Sequence, residues 1–435
     1  MSETGDNSDS QDSAAKPLAG LRILHVTLNG PAHNPRMLKE NRTYLEAGAG
    51  VSALVLGASQ EDDKKTSVDG ATLIAYRLSI TESIRAKLGV QAWFRCRIFR
   101  SHIRRAVAET TPDVIQAHDM FVAGSVFASQ TNIPVILDLH ENYPAVTEQY
   151  RTAYPLLKRA VFATFQHRRR MDRIERKYIA QSATVFTVTE EATDRVRSKN
   201  TGVNVVTIPN VEHRDFGASI PTIVASLSTE VNWSKPLQLV YTGGFEVQRG
   251  LHTVVRALGT LDRDDVHLDL IGARDSDYVR RLRAEIDELR LHDQVTLHDW
   301  IPREEVTSRI DRADLTLVPH EANDQTNATI PHKLFQYMAR GKPVLVSSCP
   351  PLAKHIRAAD AGFVFTAGDA NDCARTIAEA LERREDLTRL GENGRRYVTE
   401  EMNWELVSQP ALIDALTQLR TGRSARTAAE SSLES

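Results

Sequence analysis

Apolar residues in this chain gather in short, near-continuous runs, separated by longer stretches in which they recur every three or four positions. From residue 21 the runs are RILHVT (22–27), VSALVL (51–56), TLIAY (72–76), DVIQA (113–117), PVILDL (134–139), ATVFTV (183–188) and VNVVTI (203–208). Runs this short and this apolar predict parallel strands covered on both faces, and the periodic stretches between them predict helices. The alternation lapses over 210–236, NVEHRDFGASIPTIVASLSTEVNWSKP. It then restarts with LQLVYT (237–242), VHLDLI (266–271), VTLH (295–298), ADLTLV (313–318), PVLVSS (343–348) and GFVF (362–365). Two βα series in succession predict an α/β chain of two doubly wound, Rossmann-like domains facing across a cleft, over 21–209 and 237–398. Residues 210–236 are the expected linker, and 399–420 a helix returning to the N-terminal domain. The polar ends, 1–20 and 421–435, read as disordered. Sheets of this type bind ligands outside the carboxyl ends of their strands, so the cleft is the expected site.

Composition narrows the function. With 54 Lys+Arg against 57 Asp+Glu the net charge is −3, which gives no general attraction to nucleic acid. Cys96, Cys349 and Cys373 lie far apart with no CxxC pair, which suits a reducing cytosol rather than a disulfide framework or a zinc site. The leader MSETGDNSDSQDSAAK has no apolar run of the kind a signal peptide needs, and no stretch approaches the ~20 apolar residues of a membrane span. A cytoplasmic protein is expected, either soluble or peripheral at the inner face of the plasma membrane.

The chemistry-bearing positions sit where strands end. LQLVYT runs into GGFEVQRG, where Gly243 and Gly244 permit close backbone approach and Arg249 leads into the next helix; glycines followed by a cation at a helix start make a phosphate cradle. IPHKLFQYMARGKPVL (330–345) predicts a helix entered through Pro331 and left through Gly341. Its first turn carries His332 and Lys333, although free N–H groups already make that end positive. An anion held there accounts for the lysine. Gln336 lies one turn on from both and shares their face. Arg249 and Lys333 are therefore candidates to hold a diphosphate, and Gln336 to bond a ribose hydroxyl. Either loop alone also reads as an ordinary turn with a solvated cation; two in corresponding places favour the phosphate reading.

In the first domain, DVIQAHDM places His118 and Asp119 after one strand, and VILDLHENYP places Asp138, His140 and Glu141 after the next. His118 is a candidate to bond a sugar hydroxyl or the leaving phosphate, and Glu141 to orient an acceptor or stabilise a developing positive charge. A lone histidine there is as readily a bonded strand end. Ahead of them LNGPAHNPRMLKENRTYLEAG predicts a loop and then a helix from about Arg36 whose N-terminus faces the cleft.

Taken in order, these stretches resemble the GT-B glycosyltransferases, in particular the retaining family 4 type that uses nucleotide-sugar donors, over about residues 21–410. HNPRMLKENRTYLEAG, with Asn34 and Arg36, DVIQAHD, LDLHENYP, SATVFTVTEE with VVTIPN (Asn210), LVYTGGFEVQRG, LDLIG, VTLHDWIPREEV and PHKLFQYMARGKPVL each resemble a family stretch. The resemblance implies a metal- and cofactor-free, retaining transfer of a sugar from a nucleoside diphosphate to a glycan or lipid-linked acceptor in envelope or exopolysaccharide synthesis. It implies donor contacts at Gly243, Gly244, Arg249, His332, Lys333, Leu334 and Gln336, with Arg249, Lys333, His118 and Glu141 in catalytic roles. Asn34, Arg36, Asp119, His140 and Asn210 fall on the acceptor side or cleft. The chain departs from the family at Gly244, where an arginine is usual, and at Ala328 and Gln336, where an E-x7-E pair would fall. A non-catalytic glycan- or partner-binding protein and a nucleotide-sugar epimerase are the alternative readings. A nicotinamide enzyme is disfavoured because neither TLNGPAHN nor TGGFEVQRG has the G-x-G-x-x-G spacing.

Two further stretches attract attention. DSD (275–277) imitates a metal-binding DxD but precedes YVRRLRAEIDELR, so helix capping is expected of it. Residues 85–105 hold seven Arg/Lys and no acid, with Trp93, Phe94, Ile98 and Phe99, and residues 151–177 hold nine basic residues against two acidic ones. Such stretches suit either a basic helix face or contact with an anionic membrane surface.

Overall fold

A computed structural model describes residues 16–30, 34–57, 63–147, 167–217 and 235–433. Most of the expected linker and the first part of the basic stretch 151–177 lie outside the described residues. The chain divides into two compact units, one of residues 1–90, 94–136 and 412–435, the other of residues 91–93 and 137–411.

The larger sheet contains β1 (Arg22–Thr27), β2 (Gly50–Val55), β3 (Lys64–Val68), β4 (Ala71–Ala75), β5 (Val114–His118), β6 (Val135–Leu139), β7 (Thr184–Thr187) and β8 (Asn204–Thr207). Their order is β3-β4-β2-β1-β5-β6-β7-β8. The smaller contains β9 (Leu237–Thr242), β10 (Val266–Ile271), β11 (Val295–His298), β12 (Leu315–Val318), β13 (Val344–Ser347) and β14 (Gly362–Phe365), in the order β11-β10-β9-β12-β13-β14. β1 pairs in parallel with β2 and β5, with Ile23 opposite Val51 and Val114, and β9 pairs in parallel with β10 and β12. The order reverses beside β1 and beside β9, as in doubly wound sheets. Every expected strand is present to within two residues. β3 was not expected. KKTSV is polar and exposed, and it forms only by pairing antiparallel to β4 at the sheet edge. Exposed edge strands carry this kind of polar composition.

In the smaller sheet alternate residues line one face: Leu237, Leu239 and Tyr241 of β9, Leu268 and Leu270 of β10, Leu315 and Leu317 of β12 are fully buried. Val254, Val255 and Leu258 from the helix Leu251–Leu261 and Ile377 and Ala380 from the helix Ala370–Glu382 complete that core. Because the strands are parallel, their carboxyl ends share one edge of the sheet. Thr242, Ile271, His298 and Val318 all end there.

The caps follow local chemistry. Asn34 opens the helix Pro35–Glu46 by accepting from the Met37 N–H at 3.2 Å. In the DSD stretch Ser276 does the same for Val279, capping Asp277–Glu288, while Asp275 and Asp277 pair with Arg280. All three cysteines are buried and free. Among the described residues no helix is long and apolar enough to cross a membrane.

Beneath the sheet Arg340, just past the helix His332–Ala339, forms a two-pronged ion pair with Asp311, both almost fully buried. Removing Arg340 takes both guanidinium bonds from the buried Asp311 carboxylate. Arg340→Ala is expected to lower stability by about 3–5 kcal/mol, read as a shifted urea midpoint with an unchanged slope.

Candidate functional site

At the carboxyl end of β9 the backbone leaves the sheet through Gly243, at φ +127°, where an added Cβ would come within 2.6 Å of the Lys333 Nζ. The lysine arrives on the helix His332–Ala339, whose other face buries Leu334, Phe335, Tyr337 and Met338. Two residues of this helix hold Thr242. The Lys333 Nζ donates to its carbonyl at 2.6 Å, and its N–H donates to the Tyr337 hydroxyl at 2.9 Å. The ammonium also sits 3.8 Å above the centre of the Tyr241 ring. The Tyr241 hydroxyl in turn donates to the Gly244 carbonyl at 2.9 Å and sets the course of the loop. Burial pushes the Tyr337 phenol up to about 12 and that of Tyr241 higher still, so both are neutral hydroxyls. A Cβ at Gly244, by contrast, would meet open space.

The second cation comes from the turn Val247–Arg249, closed by Gly250 at φ +67°. A Cβ there would lie 1.9 Å from the Pro319 carbonyl oxygen, so only glycine lets this turn press against the exit of β12. The contact brings the Arg249 Nη1 within 3.3 Å of the His320 Nε2. A guanidinium only donates, so the His320 Nε2 accepts. Burial first, then Arg249 and Lys333, hold His320 far below its usual value, and the imidazole is neutral. Burial and then Arg249 likewise hold the Lys333 amine well below the lysine range, with Glu246 pulling the other way. Glu246 lies 3.7 Å from Arg249 and already accepts from the Gln248 amide at 2.6 Å. A guanidinium and an amine thus converge on one strand end, where burial and then Arg249 oppose charge on the lysine. That arrangement suits a polyanion.

A carboxylate lies on the other side of the helix start. The Glu212 Oε1 accepts from the Gln336 Nε2 at 2.9 Å and lies 3.4 Å from the His332 Nδ1. Its backbone carbonyl accepts from the Trp404 N–H. With Gln336's donor turned to Glu212, its amide oxygen is left as an acceptor on the opposite side. Ala328 is buried, and its carbonyl accepts from the Thr189 hydroxyl at 2.9 Å.

The structure brings Gly243, Gly244, Arg249 and Lys333 together, and sets His332 and Gln336 around Glu212. Leu334 is in the core, its N–H bonded to the Pro331 carbonyl. In the same unit the His140 Nε2 lies 3.0 Å from the Asp138 Oδ2, and Glu141 and Asn210 are half-buried. In the other unit the His118 Nε2 meets the His25 Nδ1 at 2.8 Å in a buried stack, and Asp119 follows with φ +72°. Arg36 there pairs with Glu40 at 3.1 Å, both buried, and Asn34 is a helix cap. Within that unit, among the described residues, His25, Glu40 and His118 come close enough together to hold an ion.

Three neighbours were not anticipated from the sequence. Glu212 lies in what reads as linker. His320 follows an ordinary buried strand. Trp300, 65% exposed just past β11, lies under the Arg274 guanidinium at 4.7 Å. Only Trp300 had a signal, an aromatic directly after a strand in HDWIP.

Comparison with known proteins supports the same architecture. Residues 35–211 match the family described as "Glycosyl transferase 4-like domain", and residues 228–397 match "Glycosyl transferases group 1". A protein of Salmonella typhimurium named as a colanic acid biosynthesis glycosyltransferase, WcaL, is 25% identical over 176 residues, 40% of this chain. The match spans less than half of that relative's length, 43%. Among solved structures, a sucrose-phosphate synthase from Thermosynechococcus elongatus has a TM-score of 0.69 at 19% identity, over 93% of this chain and 100% of that one. Anabaena Alr3699/HepE, solved in complex with UDP, has a TM-score of 0.60 at 14% identity, over 93% and 100% of the two chains. At these identities the structures speak for the fold.

Gln336 and Glu212 form a neutral–anionic pair, so their chemistry can be exchanged. Gln336→Glu would set two carboxylates against each other and is expected to cost about 1–3 kcal/mol at pH 7.5. Adding Glu212→Gln is expected to restore most of the loss in urea denaturation. Failure of the double variant to recover would show that the two side chains do not interact as described.

Proposed function

The chain belongs to the GT-B glycosyltransferases of the family 4 type, and on that premise we propose that it transfers a sugar from a nucleoside diphosphate donor to a glycan or lipid-linked acceptor with retention. The observation that carries the donor half of this reading is the convergence of Lys333 and Arg249 at the end of β9.

In the proposed reaction the bond between the anomeric carbon and the β-phosphate oxygen breaks. A bond to an acceptor hydroxyl forms on the same face, and the proton of that hydroxyl passes to the departing phosphate oxygen. Negative charge grows on the diphosphate as it leaves. Lys333 and Arg249 are already in place to neutralise it, and cations fixed beforehand need no reorganisation at the moment of reaction. His320, neutral and accepting from the guanidinium, acts as a positioning residue for Arg249. The amide oxygen of Gln336 and the carboxylate of Glu212 together offer the acceptors that a ribose diol requires, the role a single glutamate at 336 would fill. Trp300 offers an aromatic face at the carboxyl end of β11, where a base could stack. The likeness to a colanic acid glycosyltransferase supports a glycan product, and on this reading the chain works in the assembly of an exported or envelope polysaccharide.

The sign of the pH dependence follows from the amine. Free of ligand, Lys333 is held below its usual value; a bound diphosphate favours the charged form and raises it. Between those two values binding takes up a proton, so donor affinity should fall as pH rises through that window. Calorimetry of a uridine, guanosine or adenosine diphosphate sugar, whichever gives the largest thermal shift, is expected to show proton uptake in two buffers of different ionisation heat. Lys333→Met should remove the uptake and weaken binding by about 10- to 100-fold, with the melting temperature of the free protein kept or raised. Unchanged binding of every donor by that variant would refute the reading.

A further inference from the structure

The exits of β10 and β11 are tied to the loop that follows β9. Gly272, at φ +112°, lies so close to that loop that an added Cβ would stand 2.6 Å from the Gly243 carbonyl oxygen. The N–H groups of Gly272 and Ala273 both donate to the His298 carbonyl at 3.0 Å. Gly243, Gly272 and His298 therefore form one continuous floor across three neighbouring strands. The ends of β9 and β11 lie two strand spacings apart, about 10 Å. At the far side of that floor Arg274 follows β10, Asp299 and Trp300 follow β11, and all three are exposed. The Arg274 guanidinium covers one face of the Trp300 ring at 4.7 Å. Its acidic sequence neighbours, Asp275 and Asp277, are engaged by Arg280. Asp299 has no hydrogen-bond or ion-pair partner among the described residues, although a cation stands over the next residue in the chain.

A braced aromatic plane accepts any nucleobase, because every base has a π-face. A carboxylate beside it does not. When ionised it only accepts hydrogen bonds, through two oxygens side by side, and is satisfied by two donors at matching spacing. Guanine carries such a pair on one edge, the ring N1–H and the exocyclic N2 amine. Uracil offers a single N–H between two carbonyl oxygens, and those oxygens repel a carboxylate. Adenine and cytosine set an amine beside a ring nitrogen that is itself an acceptor. Resting on the nucleotide-sugar reading of the same edge, we infer that Asp299 selects guanine and that the donor is a guanosine diphosphate sugar. The diphosphate lies at Lys333 and Arg249, the base stacks on the open face of Trp300, and its N1–H and N2 amine donate to Asp299. Arg274 is a positioning residue that braces the indole from behind. An Asp299 with a merely structural role would cap a turn or pair with Arg274, and it does neither.

The test is calorimetric binding of GDP, UDP and ADP to the full chain, with its natural sequence and as three variants. GDP should bind at least ~10-fold more tightly than UDP or ADP, the discrimination that one good bidentate contact gives. Asp299→Asn exchanges one acceptor for a donor, a pattern that the N3–H and O4 of uracil complement. It should weaken GDP binding about 10-fold, keep or improve that of UDP, and so close the gap. Trp300→Ala should weaken all three nucleotides alike, by about 5- to 100-fold. Lys333→Met should also weaken all three and leave their order unchanged. UDP or ADP bound as tightly as GDP would overturn the inference, and so would an unchanged ratio of GDP to UDP affinity in Asp299→Asn. In either case weakened binding by Lys333→Met would leave the nucleotide-sugar reading standing. Binding of none of the three nucleotides would end both.

Discussion

The carboxyl edge of the smaller sheet depends on how one amine is held. Lys333 is fixed from below by the Tyr241 ring and from the side by the Thr242 carbonyl, and its helix cannot drift because Tyr337 takes the Thr242 N–H. The lysine is therefore part of the packing between a helix and a strand end. Its charge is nonetheless opposed by burial and by Arg249. The buried Leu334, Phe335 and Met338 anchor the helix that holds this amine in place.

Around that lysine, the same logic repeats with different groups. Arg249 is brought in by a turn that closes only because Gly250 has no side chain, and it leans on a histidine kept neutral by burial first and then by the charges beside it. Across the helix start, an amide takes the place of a carboxylate at 336, and a carboxylate stands next to it at 212. The negative charge near that end has not been lost from the neighbourhood. It is supplied by a different segment of the chain.

How much of this could be read beforehand depended on whether a local rule governed it. Strands such as LQLVYT and PVILDL announce themselves because both faces are covered and nearly every residue must be apolar. The helix at 332 was legible from Pro331, Gly341 and the spacing of its buried residues, and the misplaced charge of Lys333 was itself the clue. β3 was not legible, since KKTSV has no pattern of its own and owes its form to a partner strand. Glu212 was hidden for a similar reason: nothing around it is periodic, and its role is set by Gln336, 124 positions away in sequence. His320 and the stacking of Arg274 on Trp300 likewise come from neighbouring strands meeting at one edge.

The close fit at Gly243 and Gly250 limits how this chain can diverge. At each, a left-handed backbone coincides with an atom standing where a methyl group would go, Lys333 Nζ in one case and the Pro319 carbonyl in the other. No single replacement relieves both conditions at once. Descendants of this sequence can rework the surface loops around the strand ends freely, yet these two positions are closed to gradual substitution, and a lineage that changed either would have to relocate its cation as well.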